Sequence, residues 1–126
     1  MLVIDSGGVS RLAERSTRAL ALIRALRSDG LWPPIAPTVV LVESLQGHGG
    51  RDASTNRFLK TCVIEPVVTE RTARRAAELR RRSRHGSAVD AIVVTLAEPG
   101  GTVLTGDKAD IEALAAHAHY VTVETV

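Results

Sequence analysis

Apolar residues in this chain come in short blocks separated by glycine and proline, and the blocks alternate between two periods. Leu2-Val3-Ile4 is a wholly apolar run ended by Asp5 and Gly7-Gly8, the pattern of a buried strand running into a turn. Residues 16–28 place Leu20, Ile23 and Leu26 at helical spacing, with Gly30 as the stop. Prolines hold Trp32 to Pro37 extended, and Pro37 can open a helix over PTVVLVESLQ. A helix over 52–60 then leads to a short strand, Cys62-Val63-Ile64, closed by Pro66. In the second half, Thr69 or a neighbour caps a basic helix that stops near Gly86. Ser87 begins the apolar helix AVDAIVVTLAE, and Thr102-Val103-Leu104-Thr105 reads as a strand. Gly106 turns into the helix DKADIEALAAHA, and Tyr120-Val121-Thr122-Val123 is the last strand.

Strands alternating with helices predict an α/β fold, with a parallel sheet covered on both faces through right-handed crossovers. A first strand without polar residues is what burial on both faces requires. The length, 126 residues, suits one domain spanning 1–126, and the 44% hydrophobic content suffices for a core. Aromatics are only 2%, namely Trp32, Phe58 and Tyr120, which argues against modules that stack bases on rows of rings. A single cysteine, Cys62, excludes an internal disulfide and any multi-cysteine zinc site. No apolar run approaches the roughly 20 residues of a membrane span. Met1 to Asp5 lacks the basic start of a secretory signal. The expected setting is therefore a reducing cytoplasm.

Charge changes this picture locally. The net charge is +2, yet residues 71–84 hold seven arginines against the single acid Glu78, a local balance of +6. The remainder carries nine basic and thirteen acidic residues, a balance of −4. Such a segment suits either a solvated helix face or a polyanionic partner.

Carboxylates supply the candidate chemistry. In an open parallel sheet the reactive crevice lies beyond the carboxyl ends of the strands. Asp5 follows the first strand and Asp107 the fourth, so both project to that edge. Glu43 and Asp90 each interrupt an otherwise apolar helix, and a buried carboxylate needs a partner or a metal. Four acids at one edge would repel one another unless a divalent cation held them, and all-oxygen ligation favours Mg²⁺ or Mn²⁺ over zinc. Three of the acids also have structural readings. Ser87-Ala88-Val89-Asp90 matches a capping box, Asp107 can be an N-cap followed by Asp110 in the first turn, and Asp5 can cap a helix after Gly8.

The segments LVIDSGG, VVLVESL, SAVDAIVVTLA and VLTGDKADIEAL, in this order along the whole chain, resemble the PIN-domain ribonucleases, and among them the VapC toxins of bacterial toxin–antitoxin pairs. The resemblance implies a PIN-like three-layer sandwich with a five-stranded parallel sheet between helices. It also implies hydrolysis of RNA phosphodiester bonds at a four-acid site, with Asp5, Glu43, Asp90 and Asp107 holding one or two Mg²⁺ or Mn²⁺ ions and Asp110 as a further acid. A cognate antitoxin, a homodimer and a larger toxin–antitoxin complex are implied as well. Ser6 fits the family's pattern, whereas Gly7-Gly8 departs from it and suggests an unusually flexible turn.

On this reading Arg71, Arg74, Arg75 and Arg82 meet either RNA or an acidic stretch of antitoxin, while Ala73, Ala76, Ala77 and Leu79 face the sheet. The alternative is a catalytically weak PIN-like protein acting with its antitoxin as a DNA-bound regulator. A receiver-like domain would need an acidic pair after the first strand, and a phosphoaspartate phosphatase would need Asp-x-Asp; Asp5-Ser6-Gly7 supplies neither.

Overall fold

The architecture follows from how this chain covers a hydrophobic sheet. A computed structural model describes all residues, 1–126. In chain order its elements are β1 (Leu2–Ile4), α1 (Ser6–Ala13), α2 (Thr17–Ser28), β2 (Ile35–Pro37), α3 (Thr38–Ser44) and α4 (Ala53–Leu59). They continue with β3 (Val63–Glu65), α5 (Glu70–Ser83), α6 (Ala88–Ala97), β4 (Thr102–Thr105), α7 (Lys108–Ala115) and β5 (Thr122–Thr125). The five strands form one sheet in the order β3-β2-β1-β4-β5, and every pairing is parallel. The chain steps outward from β1 to β2 and β3, then returns past β1 to β4 and β5. Right-handed crossovers therefore place the first and second sets of helices on opposite faces. α1 packs with α2, α3 and α4, while α5, α6 and α7 pack on one another. The result is an α/β three-layer sandwich: the covered parallel sheet that the sequence pattern predicts, with the five strands that the family resemblance implies.

Central position dictates composition. β1 lies between β2 and β4, and Leu2, Val3 and Ile4 are essentially inaccessible to water. Val103 and Leu104 of β4 are buried beside them, facing Val3 and Ile4 in register. The edge strands β3 and β5 are largely exposed, and Val63 and Ile64 present apolar surface there. The core is one cluster of aliphatic side chains with Phe58 as its only aromatic member. No helix is long and apolar enough to cross a membrane.

Several local expectations are corrected. Gly7 and Gly8 form no flexible turn; they are the start of α1. A Cβ on Gly8 would stand 2.7 Å from the Leu104 carbonyl oxygen, and one on Gly7 would stand 2.9 Å from the Cα of Gly106. These glycines let the helix touch the neighbouring strand end, so their use is contact rather than freedom. β5 begins two residues later than predicted, because Tyr120 adopts a left-handed conformation (φ 57°) and its ring is exposed. On α5 only Ala76 and Leu79 are buried, while Ala73 and Ala77 stay exposed along the groove between α5 and α6.

Candidate functional site

The reversal of strand order between β1 and β4 creates a switch point, and Asp5 and Thr105 are the residues that end and leave those two strands. Asp5 is the N-cap of α1: its Oδ1 accepts the Gly8 N–H at 2.6 Å and lies 3.4 Å from the Gly106 N–H, another donor to it. Its Oδ2 accepts a hydrogen bond from the Thr105 hydroxyl. Thr105 is fully buried; its oxygen accepts the Asp107 N–H at 2.8 Å, and the Asp107 carbonyl, 3.0 Å away, is a second acceptor in reach. The Gly7–Gly106 backbone contact brings these two loops together. Thr105 thus positions Asp5.

Asp5 is 4% exposed and forms no ion pair with any Lys, Arg or His. Burial raises its pKa above the ordinary value of 3.8; the hydrogen bonds from Thr105, Gly8 and Gly106 oppose this only in part, and the nearby Asp90 carboxylate adds to the rise. A buried, negatively disposed group without a counter-charge is the principal electrostatic feature of this edge.

The other acids approach it from different elements. Asp90 lies in the first turn of α6 and completes the expected capping box: Ser87 N–H donates to its Oδ2 at 2.9 Å, and its own N–H donates to Ser87 Oγ at 3.0 Å. Capping engages one oxygen and leaves the charge close enough to act on Asp5. Asp107 is the N-cap residue of α7 by backbone position, but its side chain makes no capping hydrogen bond and is exposed. Its carboxylate is therefore free. Asp110 is half-buried one turn later, with its Oδ1 3.9 Å from His85 Nδ1.

Glu43 differs from expectation. The apolar run around it suggests a buried acid, yet α3 buries only Val40; Val42 is 80% exposed and Glu43 itself faces water. Its carboxylate lies six residues beyond Pro37 at the end of β2, about 9 Å along the helix from the sheet edge. No three of the carboxylate, imidazole and thiol groups converge as a ready metal cage. The donor chemistry nevertheless fits a hard cation. Mg²⁺ keeps several waters and uses one or two carboxylates plus substrate phosphates; Asp5 and Asp90 supply such a pair, and the Asp107 carboxylate is unengaged just past the end of β4.

Arginines divide between the two ends of α5. Arg75 is engaged within the molecule: its guanidinium donates to both Glu98 oxygens at 3.0 and 2.7 Å, to Glu78 at 3.0 Å and to the His117 carbonyl at 3.2 Å. The Glu98 bond, with Glu78 behind it, keeps Arg75 firmly protonated. Burial alone would raise the Glu98 pKa, but Arg75 and the His119 N–H hold it below its ordinary value. Arg71 and Arg74 sit at this same end, Arg74 paired with exposed Glu70. Arg82 pairs with Glu78 at 3.3 Å. Arg80, Arg81 and Arg84, with His85 and Gly86, line a shallow basic depression at the other end of α5, where the chain enters α6 and its Asp90. Thirteen residues separate Arg71 from Arg84, about 20 Å of helix, so these missed arginines, not the first turn, border the acidic edge. The signal was present in the RRRSR run, but which end faces the acids depends on where α6 begins.

The molecule has a second buried aspartate, Asp52, also 4% exposed. It accepts backbone N–H groups from Gln46 (2.9 and 3.1 Å), Gly47 (2.9 Å) and His48 (3.0 Å), which tie down the α3–α4 loop.

No protein-family model matches this chain, and no curated protein is detectably similar to it.

Proposed function

We propose that this chain is a metal-dependent ribonuclease toxin of a VapBC-type pair, hydrolysing RNA phosphodiester bonds at its carboxyl edge and inhibited by a cognate antitoxin. The observation that carries the reading is Asp5: a carboxylate buried at the topological switch point with no cationic partner, beside Asp90. Structural acids in proteins are paired or multiply hydrogen-bonded into a low pKa; this one is raised, as at sites that wait for a cation. Asp5 and Asp90 would hold Mg²⁺ or Mn²⁺, with Asp107 and Asp110 contributing directly or through water and Glu43 the outlying member. Bound there, the ion supplies Lewis acidity towards the phosphodiester and a water of lowered pKa.

The protein's own residues do the rest. Thr105 and the Gly8 N–H hold the Asp5 carboxylate in one orientation, and the Ser87 N–H does the same for Asp90. Arg80, Arg81 and Arg84 offset the repulsion between an acidic edge and a polyanion, binding phosphates upstream or downstream of the scissile bond. Cytoplasmic residence, a homodimer and a larger complex with antitoxin belong to the same proposal.

The test uses purified protein freed of antitoxin. Structured RNA should be cut in Mg²⁺ or Mn²⁺, EDTA should abolish cutting, and Asp5→Asn should lower the rate by several orders of magnitude while remaining folded. On the inactive variant, Arg80, Arg81 and Arg84 changed together to Gln should flatten the dependence of log affinity on log salt, by about 0.7 in slope for each phosphate that the side chains cease to neutralise. Arg71→Gln and Arg74→Gln should leave that slope as it is. EDTA-resistant cleavage would overturn the metal mechanism. A protein that never cuts RNA but binds operator DNA through its antitoxin would establish the regulator instead.

A further inference from the structure

On the opposite side of the molecule from the basic helix, α1, α2 and α4 enclose a cavity of about 330 Å³, within the range of small-molecule sites. Its floor is apolar: Leu12, Leu20, Ile23, Phe58 and the only tryptophan, Trp32. Its rim carries four arginines, Arg15, Arg24, Arg27 and Arg57, contributed by three separate segments, and no acidic residue lines it. None of the four forms an ion pair. The rings are ordered against one another, Trp32 edge-on to Phe58 with centroids 6.2 Å apart and the Arg27 guanidinium 5.4 Å from the Trp32 ring. Four unpaired guanidiniums repel one another, and an apolar floor beneath them gains nothing from water. Thr61 and the residues preceding β2 place this cavity towards the amino end of the sheet, away from Asp5.

We propose that this cavity is a binding site for a nucleoside phosphate, its planar base packed against the Phe58 ring and the edge of Trp32 and its phosphates held by Arg24 and Arg57. Such a ligand matches both halves of the lining: a flat, weakly polar body for the rings and a multiply charged, acceptor-only group for forked guanidinium donors. A bare anion would leave the floor wet, and an uncharged ring compound would leave the arginines unpaired. The proposal is independent of RNA cleavage at the carboxyl edge.

Trp32 reports on its own site, because no other tryptophan contributes to emission. Full-length protein in EDTA is titrated with ATP, GTP, AMP, adenosine and inorganic pyrophosphate, following Trp32 fluorescence and, in parallel, heat by calorimetry. The nucleoside phosphates should bind saturably below millimolar concentration, and adenosine and pyrophosphate at least about tenfold more weakly. Arg24→Gln and Arg57→Gln, both exposed positions whose loss should leave the thermal midpoint unchanged, should each weaken nucleotide binding about tenfold. Pyrophosphate binding as tightly as ATP, nucleotide binding unaffected by either substitution, an acidic peptide saturating the site where nucleotides do not, or no saturable signal at all would each overturn the assignment.

Discussion

Asp5 and Asp52 are each 4% exposed, yet Asp5 lies deep at the sheet edge while Asp52 sits just beneath a surface loop, and they are held in opposite ways. Asp52 receives backbone N–H donors from three successive residues, the Gln46 bond foremost, and its pKa falls below 3.8 despite burial. Asp5 also receives three donors, from Gly8, Gly106 and the Thr105 hydroxyl, but it lies deeper in the protein and beside Asp90, and its pKa rises because burial prevails. One acid is spent on organising a loop. The other remains uncompensated by any charge, and it occupies the switch point of the sheet. Burial alone does not mark a functional carboxylate; burial with an unbalanced charge does.

The largest effect expected from this contrast is on stability. Asp52→Ala would orphan the N–H groups of Gln46, Gly47 and His48, and thermal unfolding should show its midpoint lowered by several degrees. Asp5→Asn should leave the midpoint unchanged or raise it. The asparagine can still accept from Gly8, its amide can donate to Thr105, and Thr105 can turn its proton to the Asp107 carbonyl. If both variants lost stability alike, the two acids would be equivalent and the contrast void.

A smaller effect comes from cations. Mg²⁺ or Mn²⁺ added to EDTA-treated protein should raise the midpoint of the wild type and of Asp52→Asn, by about 1.4 kcal/mol of stabilisation at ten times the dissociation constant. It should not stabilise Asp5→Asn. Calorimetry across a metal titration makes the comparison.

The smallest effect lies in pH, and its two signs differ. A carboxylate with a depressed folded pKa contributes stability above the unfolded value of 3.8 that is lost as pH falls through the folded pKa; this is Asp52. Asp5, raised, acts in reverse: the folded state loses stability as pH climbs from 3.8 through its folded pKa and stays lower above it. Urea unfolding in EDTA from strongly acidic to neutral pH should therefore show Asp5→Asn gaining on the wild type with rising pH and Asp52→Asn falling behind it. Parallel curves would refute the opposed shifts.

Much of this molecule was legible along the chain. Period and punctuation located six of the seven helices and four of the five strands, because a helix must carry its caps locally and a strand buried on both faces must be apolar throughout; β2 reads only as an extended, proline-held segment and the start of α1 as a turn. The Ser87–Asp90 capping box is a four-residue event, and the structure reproduces it bond for bond. The positions of Asp5 and Asp107 beyond the ends of the first and fourth strands followed from the same alternation; that those strands are neighbours did not. These are properties of short segments, and short segments carry their own reasons.

What the tertiary structure decided involves partners distant in sequence. Gly7 and Gly8 read as a flexible turn until β4, a hundred residues on, comes within contact of them and shows why no side chain fits. Arg75 resembles its neighbours in a basic helix until Glu98 arrives from the end of α6 to engage it. Glu43 reads as buried because Val and Leu surround it in sequence, yet no second element covers that side of α3. Asp5 alone on a strand end is an ordinary cap; its charge goes unbalanced only because folding removes water and brings Asp90, and no arginine, to its side. The sequence by itself determined the elements and the acids, since hydrogen bonding and hydrophobic period act between near neighbours. Tertiary structure decided which charges are satisfied and which are left over, since desolvation and Coulomb forces depend on distance in space rather than along the chain.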